Sequence, residues 1–375
     1  MAGLIMAQDV ADIDVTVDKE NYRDGLMQIL LVIRPHWKAE EVRFKSMRQG
    51  YINLMLVCLV NDNQEEWLVA RIFGSGLDPA GCLGFRRQRE VKCSKALAEL
   101  KLGPPVYASF RNGLIFGFVA GKQYGWADVT AFREMKTARA VARALAHLHS
   151  KRTTDYTLAK YGILEGQSHN TIMKQLLDNW PQVIIDEETT AWVNNQIPPL
   201  KDRQAEFDLL LNRFDALNIP ETLCHGDPNP TNMIYNEQED SIILVDYEMV
   251  GMMNPLYDLA GFMGTSAFGL LPDIESLEHT KDYQRTFVKE YLEKLAIIDK
   301  CEEPVTEDKI EGVYNIIQVM MMAIHFALHI FAAQLANSPN STVSDRKDLL
   351  CLSLRRLEYY YKHRDMVLAI KLPGE

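Results

Sequence analysis

Apolar residues run almost unbroken through YINLMLVCLV at 51–60 and WLVARIF at 67–73, with the polar NDNQEE between them. That pattern predicts two buried strands joined by a turn. A second pair, YASF (107–110) and LIFGFV (114–119), flanks Arg111-Asn112-Gly113. Asn-Gly between apolar runs predicts a hairpin, because both residues accept the positive φ of a tight turn. Between the two pairs, RRQREVKCSKALAEL (86–100) reads as a helix, stopped by Gly103-Pro104-Pro105.

After residue 119 the period changes. Met135, Ala138, Ala142, Leu145 and Leu148 fall on one face of a predicted helix over 132–149. Residues 151–220 keep a helical mixture of polar and apolar positions and suggest no strand. NMIY (232–235) and SIILVDYE (241–248), joined by NEQED, predict a short hairpin, and from Pro272 to about Arg364 the pattern is helical again. The expected organisation is an N-terminal segment over 1–25 with no element assigned and disorder allowed. A sheet lobe follows over 26–120, then a helical lobe over 121–375. The fold class is α+β in two lobes, a small antiparallel-sheet N-lobe and a mostly helical C-lobe.

Composition narrows the function. The 375 residues are 47% hydrophobic and 24% charged, ordinary for a globular chain with a large core. The formal net charge of −11 argues against nucleic acid as the partner, since phosphate backbones need a basic footprint. Six scattered cysteines with no CxxC spacing predict neither a thiolate metal site nor a disulfide framework, and fit a reducing, cytoplasmic compartment. The N-terminus shows no basic region ahead of an apolar run, so no signal peptide is expected. Ile316 to Ala336 is uncharged and long enough to span a bilayer, but it carries Gln318, His325, His329 and Gln334. A buried helix is the better account, with no integral membrane association. His325 and His329 stand four apart, and a satisfied buried pair is expected there rather than a metal site.

The chemistry gathers in LCHGDPNPTNMIYNEQEDSIILVDYE, 223–248. Asp227 precedes Asn232 by five positions, the spacing of a kinase catalytic loop, and Asp246 closes the apolar run IILV, where a second metal-binding carboxylate is expected. Phosphoryl transfer needs a carboxylate beside the attacking hydroxyl and hard oxygen ligands for Mg²⁺. This assigns Asp227 as the base and Asn232 and Asp246 as metal ligands, with His225 in a supporting role.

IRPHW (33–37), ARIFG (70–74), LGPPVYASFRNGLIFGFV (102–119), LCHGDPNPTNMIYN (223–236) and VDYE (245–248) resemble the choline/ethanolamine kinase family, within the protein-kinase-like fold. The likeness runs from about Ile33 to Lys371, and the near-terminal AIKLP looks closer to ethanolamine kinases. The resemblance implies ATP and Mg²⁺ as cofactors and a small amino alcohol as substrate, phosphorylated for phospholipid synthesis, with a homodimer allowed. It implies that Gly50 and Asn53 belong to the turn covering the nucleotide. Arg71 is then the strand cation that steadies phosphate, and Glu90 the helix acid that pairs with it. Phe118, Val119 and Ala120 form the connection that bonds adenine. Glu248 and Asp258 are the implied ammonium partners, with Phe331 a wall. The family's Asn-His-Phe segment is replaced by LAGFMGT (259–265), and its C-terminal tryptophan pair by Leu328 and Phe331. Quaternary ammonium favours aromatic cages, so the thinner aromatic complement leans toward ethanolamine over choline. Two further alternatives are a kinase for another small hydroxyl compound, of the aminoglycoside-phosphotransferase kind, and a non-catalytic pseudokinase.

Overall fold

Strands β3 (Leu54–Leu59) and β4 (Leu68–Ile72) are the first two apolar runs, and they pair antiparallel with Leu54 opposite Ile72. They belong to the computed structural model of the chain, which describes residues 10–47, 53–74, 87–125, 131–162, 200–215, 217–268, 279–336 and 343–372. The sheet has six strands in the order β1-β5-β6-β4-β3-β2, with β1 at Ala11–Ile13, β2 at Arg43–Ser46, β5 at Val106–Phe110 and β6 at Gly113–Gly117. Both faces are covered, which is why the runs are continuous rather than alternating. Leu68, Ala70 and Ile72 join a cluster with Leu26, Ile29 and Leu30 of α1 (Tyr22–Ile33). The two-residue period of a strand sends Val69 and Arg71 to the other face. There Phe73, Val106 and Leu114 pack with Val91 and Ala98 of α2 (Arg87–Glu99).

The N-terminal segment is not separate from this lobe. Strand β1 runs parallel to β5, the one parallel pairing in an otherwise antiparallel sheet, and α1 begins before residue 25. Three residues of ADI carry too short a pattern to announce a strand. Partners 83 or more positions away fix it: Asp12 accepts from Lys95 Nζ at 2.8 Å and from the Ser109 hydroxyl, and Asp14 pairs with Arg111.

The helical lobe is built on α3 (Met135–His149), α4 (Lys151–Tyr161), α5 (Leu200–Asp215), α6 (Leu256–Phe268), α7 (Lys281–Asp299), α8 (Glu307–Ala336) and α9 (Val343–Leu368). Helix α3 packs on α7, and α8 on α6 and α9. Phe262 and Phe287 stack in their shared core at 5.1 Å between centroids. Within α8, Glu307–Ile330 is apolar enough to cross a membrane, but 67% of that window is buried among its neighbours. Its polar residues are matched locally. Gln318 donates to Gln284 at 2.5 Å, His325 Nδ1 meets Arg356 Nη1 at 2.9 Å, and His329 Nδ1 meets the Ser353 hydroxyl at 3.3 Å. The two histidines thus turn to different partners on α9.

Two small sheets sit where the lobes meet. Strand β8 (Thr222–Cys224) pairs with β11 (Gly251–Met253), and β9 (Met233–Asn236) lies between β10 (Ser241–Leu244) and β7 (Lys122–Gln123). The chain just past the expected lobe boundary at residue 120 therefore forms a strand of the C-lobe hairpin sheet.

Candidate active site

Strand β8 delivers the chain into His225-Gly226-Asp227, and the turn there depends on Gly226. Its φ is +86°, and a Cβ would stand 2.5 Å from the Met249 carbonyl oxygen. Only a residue without a Cβ takes that conformation against that carbonyl. Asp258, in the first turn of α6, holds the turn from below: it accepts the N–H of His225 at 2.6 Å and of Gly226 at 2.9 Å. His149 Nε2 lies 2.9 Å from the same carboxylate, and His149 Nδ1 lies 3.1 Å from the Tyr291 hydroxyl. Burial alone would raise the Asp258 pKa, but its bond to His149, the electrostatic pull of the His149 and His225 rings and the His225 N–H bring it below the usual value. Cys224 lies close enough to His149 and Asp258 for a three-ligand cluster. Burial raises its pKa well above the ordinary thiol value, and the thiol bonds the Met253 carbonyl at 3.3 Å, so it is a packed neutral group.

His225 is fully buried and props the loop. Its Nε2 bonds the Val245 carbonyl at 2.9 Å, and its Nδ1 accepts from the Asp227 N–H at 3.3 Å. Asp227 is half-buried, with one oxygen fixed: Oδ2 accepts from Asn229 Nδ2 at 2.8 Å and from Asn232 Nδ2 at 3.1 Å. Burial is the main cause that raises its pKa; the Asn229 bond and His225 oppose this, and Asp246 and Asp258 add to it. Asn232 also donates to the Asp227 carbonyl at 3.0 Å, and its Oδ1 accepts no bond among the described residues. From the carbonyl of Asn232 the β9–β10 ladder continues to the N–H of Val245, at 3.0 Å, and the next residue is Asp246. Asp246 adopts the left-handed conformation, φ +67° and ψ 69°, which ends the strand and turns its side chain out of the ladder.

Across the cleft stands Arg71, 4% exposed. Its Nε lies 2.9 Å from Glu90, and its Nη2 lies 2.6 Å from Asp246 and 3.1 Å from Glu248. Burial works against the guanidinium charge, and the three carboxylates outweigh it, so the Arg71 pKa is raised. Glu248 in turn accepts from Asn53 at 3.1 Å and lies 3.4 Å from Arg87. Burial first, and Asp246 second, push its pKa up to about 7 against the pull of Arg71.

The structure thus brings Asp227, Asn232 and His225 into one loop, and Arg71, Glu90, Asp246, Glu248 and Asn53 into one network. Two expected roles change. Asp258 was expected to meet the substrate ammonium, but it is 1% exposed and both its oxygens are taken by the His225–Gly226 turn and His149, so it positions the loop. Glu248 was expected there too, and faces Arg71, Arg87 and Asn53 on the sheet-lobe side instead. Asn53 contributes its side chain, accepting from the Gly74 N–H at 3.3 Å, while Gly50 lies outside the described residues. Phe118 spends its N–H on the Trp67 carbonyl at 3.1 Å and sets its ring edge-on to Trp67, whereas Val119 and Ala120 are irregular backbone. Leu328 packs on the main core, and Phe331 lies in α8 with its side chain outside the described residues.

Three participants escaped the sequence reading. Asn229 gave a faint signal, a polar residue between two prolines just after the acid. Arg87, which bonds Glu90 at 2.9 Å and Asn53 at 3.2 Å, gave one only as a charge three positions before Glu90. His149 gave none, because it ends an apolar helix face.

Taken together, one carboxylate has an oxygen held and an oxygen to offer. A second carboxylate and a carboxamide add hard oxygen donors beside it, and a guanidinium faces them. All-oxygen donors of this kind suit Mg²⁺ rather than a thiophilic ion. Burial first, and the Asp246 charge after it, raise the Asp227 pKa, and a bound cation would favour the charged carboxylate against both.

The sequence model of the choline/ethanolamine kinase family matches residues 44–360. Ethanolamine kinase 1 of Mus musculus is 27% identical over 369 residues, covering 97% of this chain and 96% of that one. Among solved structures, an ethanolamine kinase of Plasmodium vivax superposes with a TM-score of 0.68 at 19% identity, over 92% of this chain and 89% of that one. A choline kinase of Cryptosporidium parvum gives 0.69 at 15% identity, over 92% and 98%. The match spans both lobes and every residue of the loop, ladder and cation network, and the chain belongs to the choline/ethanolamine kinase family.

Proposed function

We propose that the protein transfers the γ-phosphoryl group of ATP to the hydroxyl of ethanolamine, giving phosphoethanolamine for phospholipid synthesis. The site observation that supports phosphoryl transfer is the one-sided clamping of Asp227. With Oδ2 held by Asn229 and Asn232, Oδ1 is left to accept the hydroxyl proton of the acceptor. The raised pKa of Asp227 makes it a better base than an exposed aspartate. Asn232 Oδ1 and Asp246 would hold Mg²⁺, which when bound neutralises charge on the phosphates. Arg71, fixed by Glu90, has Nη1 left to bond a phosphate oxygen. The preference for ethanolamine rests on the names of the curated relatives and on the absence of tryptophan after Trp192.

The test is a phosphorylation assay with purified protein, Mg-ATP and each of ethanolamine, choline and an aminoglycoside. Turnover with ethanolamine exceeding that with choline in kcat/KM is the expected result. Preference for choline would correct the substrate. Nucleotide binding without turnover on any acceptor would replace the reading with that of a pseudokinase.

A further inference from the structure

A cavity of about 500 Å³ lies where the end of α2, helices α3, α4 and α7, and the β9–β10 hairpin meet. Leu102, Leu148, Leu244 and Ile298 give it apolar walls. Lys101 and Arg152, both exposed, and the half-buried Lys294 line it from three different parts of the chain, with His147 beside the last two. Arg143 lines it as well but is already engaged, bonding Asp240 at 2.8 Å and Glu290 at 3.1 Å. No carboxylate among the described residues forms an ion pair with Lys101, Arg152 or Lys294. Glu239, on the hairpin turn, is exposed at the lining.

Convergent cations are the reverse of what a chain of net charge −11 offers elsewhere. An anion seated among them would gain from all three. Burial and the two neighbouring cations push the His147 pKa down, so its ring stays neutral and can donate a hydrogen bond without adding to the repulsion. The volume is that of a small-molecule site, larger than a bare phosphate fills, and its apolar walls suit a carbon skeleton. We infer that this cavity is a binding site for a small organic phosphomonoester, with the phosphate taken by Lys101, Arg152 and Lys294 and the carbon body resting on the apolar walls. The site is separate from the catalytic cleft but touches its supports. His147 precedes His149, which holds Asp258, and the hairpin that walls the cavity carries Asn232 and Asp246 at its open ends.

The probe is glycerol 2-phosphate, titrated by calorimetry into the full chain with Mg-ADP already saturating the cleft. Saturable one-site binding is expected, weakened by roughly tenfold or more in the double variant Arg152→Gln, Lys294→Gln. Neither side chain makes a hydrogen bond or ion pair among the described residues, so the variant is expected to melt with the wild type and to keep its basal activity. Inorganic phosphate should bind more weakly than glycerol 2-phosphate. Equal affinity for the double variant and the wild type, or no saturable binding by the wild type, overturns the site. Equal affinity for the two probes overturns the organic body. Failure of Mg-ADP itself to bind would count against the proposed function alone, and the titration is then run without it.

Discussion

The carboxylate of Asp258 accepts the backbone N–H of His225 at 2.6 Å, tying the start of α6 to the loop that carries Asp227. With His149 on the same oxygen, the acid is a buried anion satisfied on every side. Asp258→Asn keeps the shape but places an amide N–H₂ against one of these donors. It should cost about 2–4 kcal/mol in urea denaturation and lower kcat far more than it raises the KM for ATP. Unchanged stability would show that the loop holds itself.

Gly226 gives a sharper test of the same turn. Gly226→Ala meets both a left-handed φ and the Met249 carbonyl, so a loss of more than about 1–2 kcal/mol is expected, with kcat falling in step. Gly226→Asn tolerates the φ better but carries the same Cβ, and should fare little better. A wild-type melting temperature for either variant contradicts the geometry.

Arg71 is a fork, and a fork is what the network needs. Arg71→Lys keeps the charge but cannot meet Glu90, Asp246 and Glu248 together, so kcat/KM for ATP should fall by roughly a hundredfold. Arg71→Ala leaves buried Glu90 with Arg87 alone and should destabilise the chain by about 2–3 kcal/mol, read from denaturant unfolding.

Glu248 predicts a pH dependence. Its pKa is about 7 in the fold against 4.5 for an ordinary glutamate. Between those values the folded chain keeps a proton that the unfolded chain has lost. The group's contribution to stability is therefore full below pH 4.5 and is lost as pH rises through 7. Unfolding free energies of the metal-free protein, measured at pH 5 and pH 8, should differ less in that sense for Glu248→Gln than for the wild type. An identical pH response in the two proteins would remove Glu248 from the account.

Much of this molecule is legible before any coordinates. The runs at 51–60, 67–73, 107–110 and 114–119 became β3 to β6, because apolar period is a local property, while the turn between the last two is Arg111-Asn112, with Gly113 opening β6 and no positive φ at Asn112 or Gly113. Strand β1 and β7 were not foreseen, since each is two or three residues long and exists only through a distant partner. The acids of the site were legible as types and spacings, but their directions were not. Whether Asp258 or Glu248 faces a substrate, a cation or a backbone N–H depends on helix and strand placement, which one-dimensional spacing does not carry. His149 and Asn229 stayed hidden for the same reason.

The ladder between β9 and β10 has a consequence for how this kinase can vary. Asn232 and Asp246 ride the two jaws of one pair of tongs, and the rungs nearest them set the gap, not the handle at Asn236 to Ser241. Residues added at the handle would leave the jaws where they are. A slip of one rung would point one jaw the wrong way and leave an ion with half its grip.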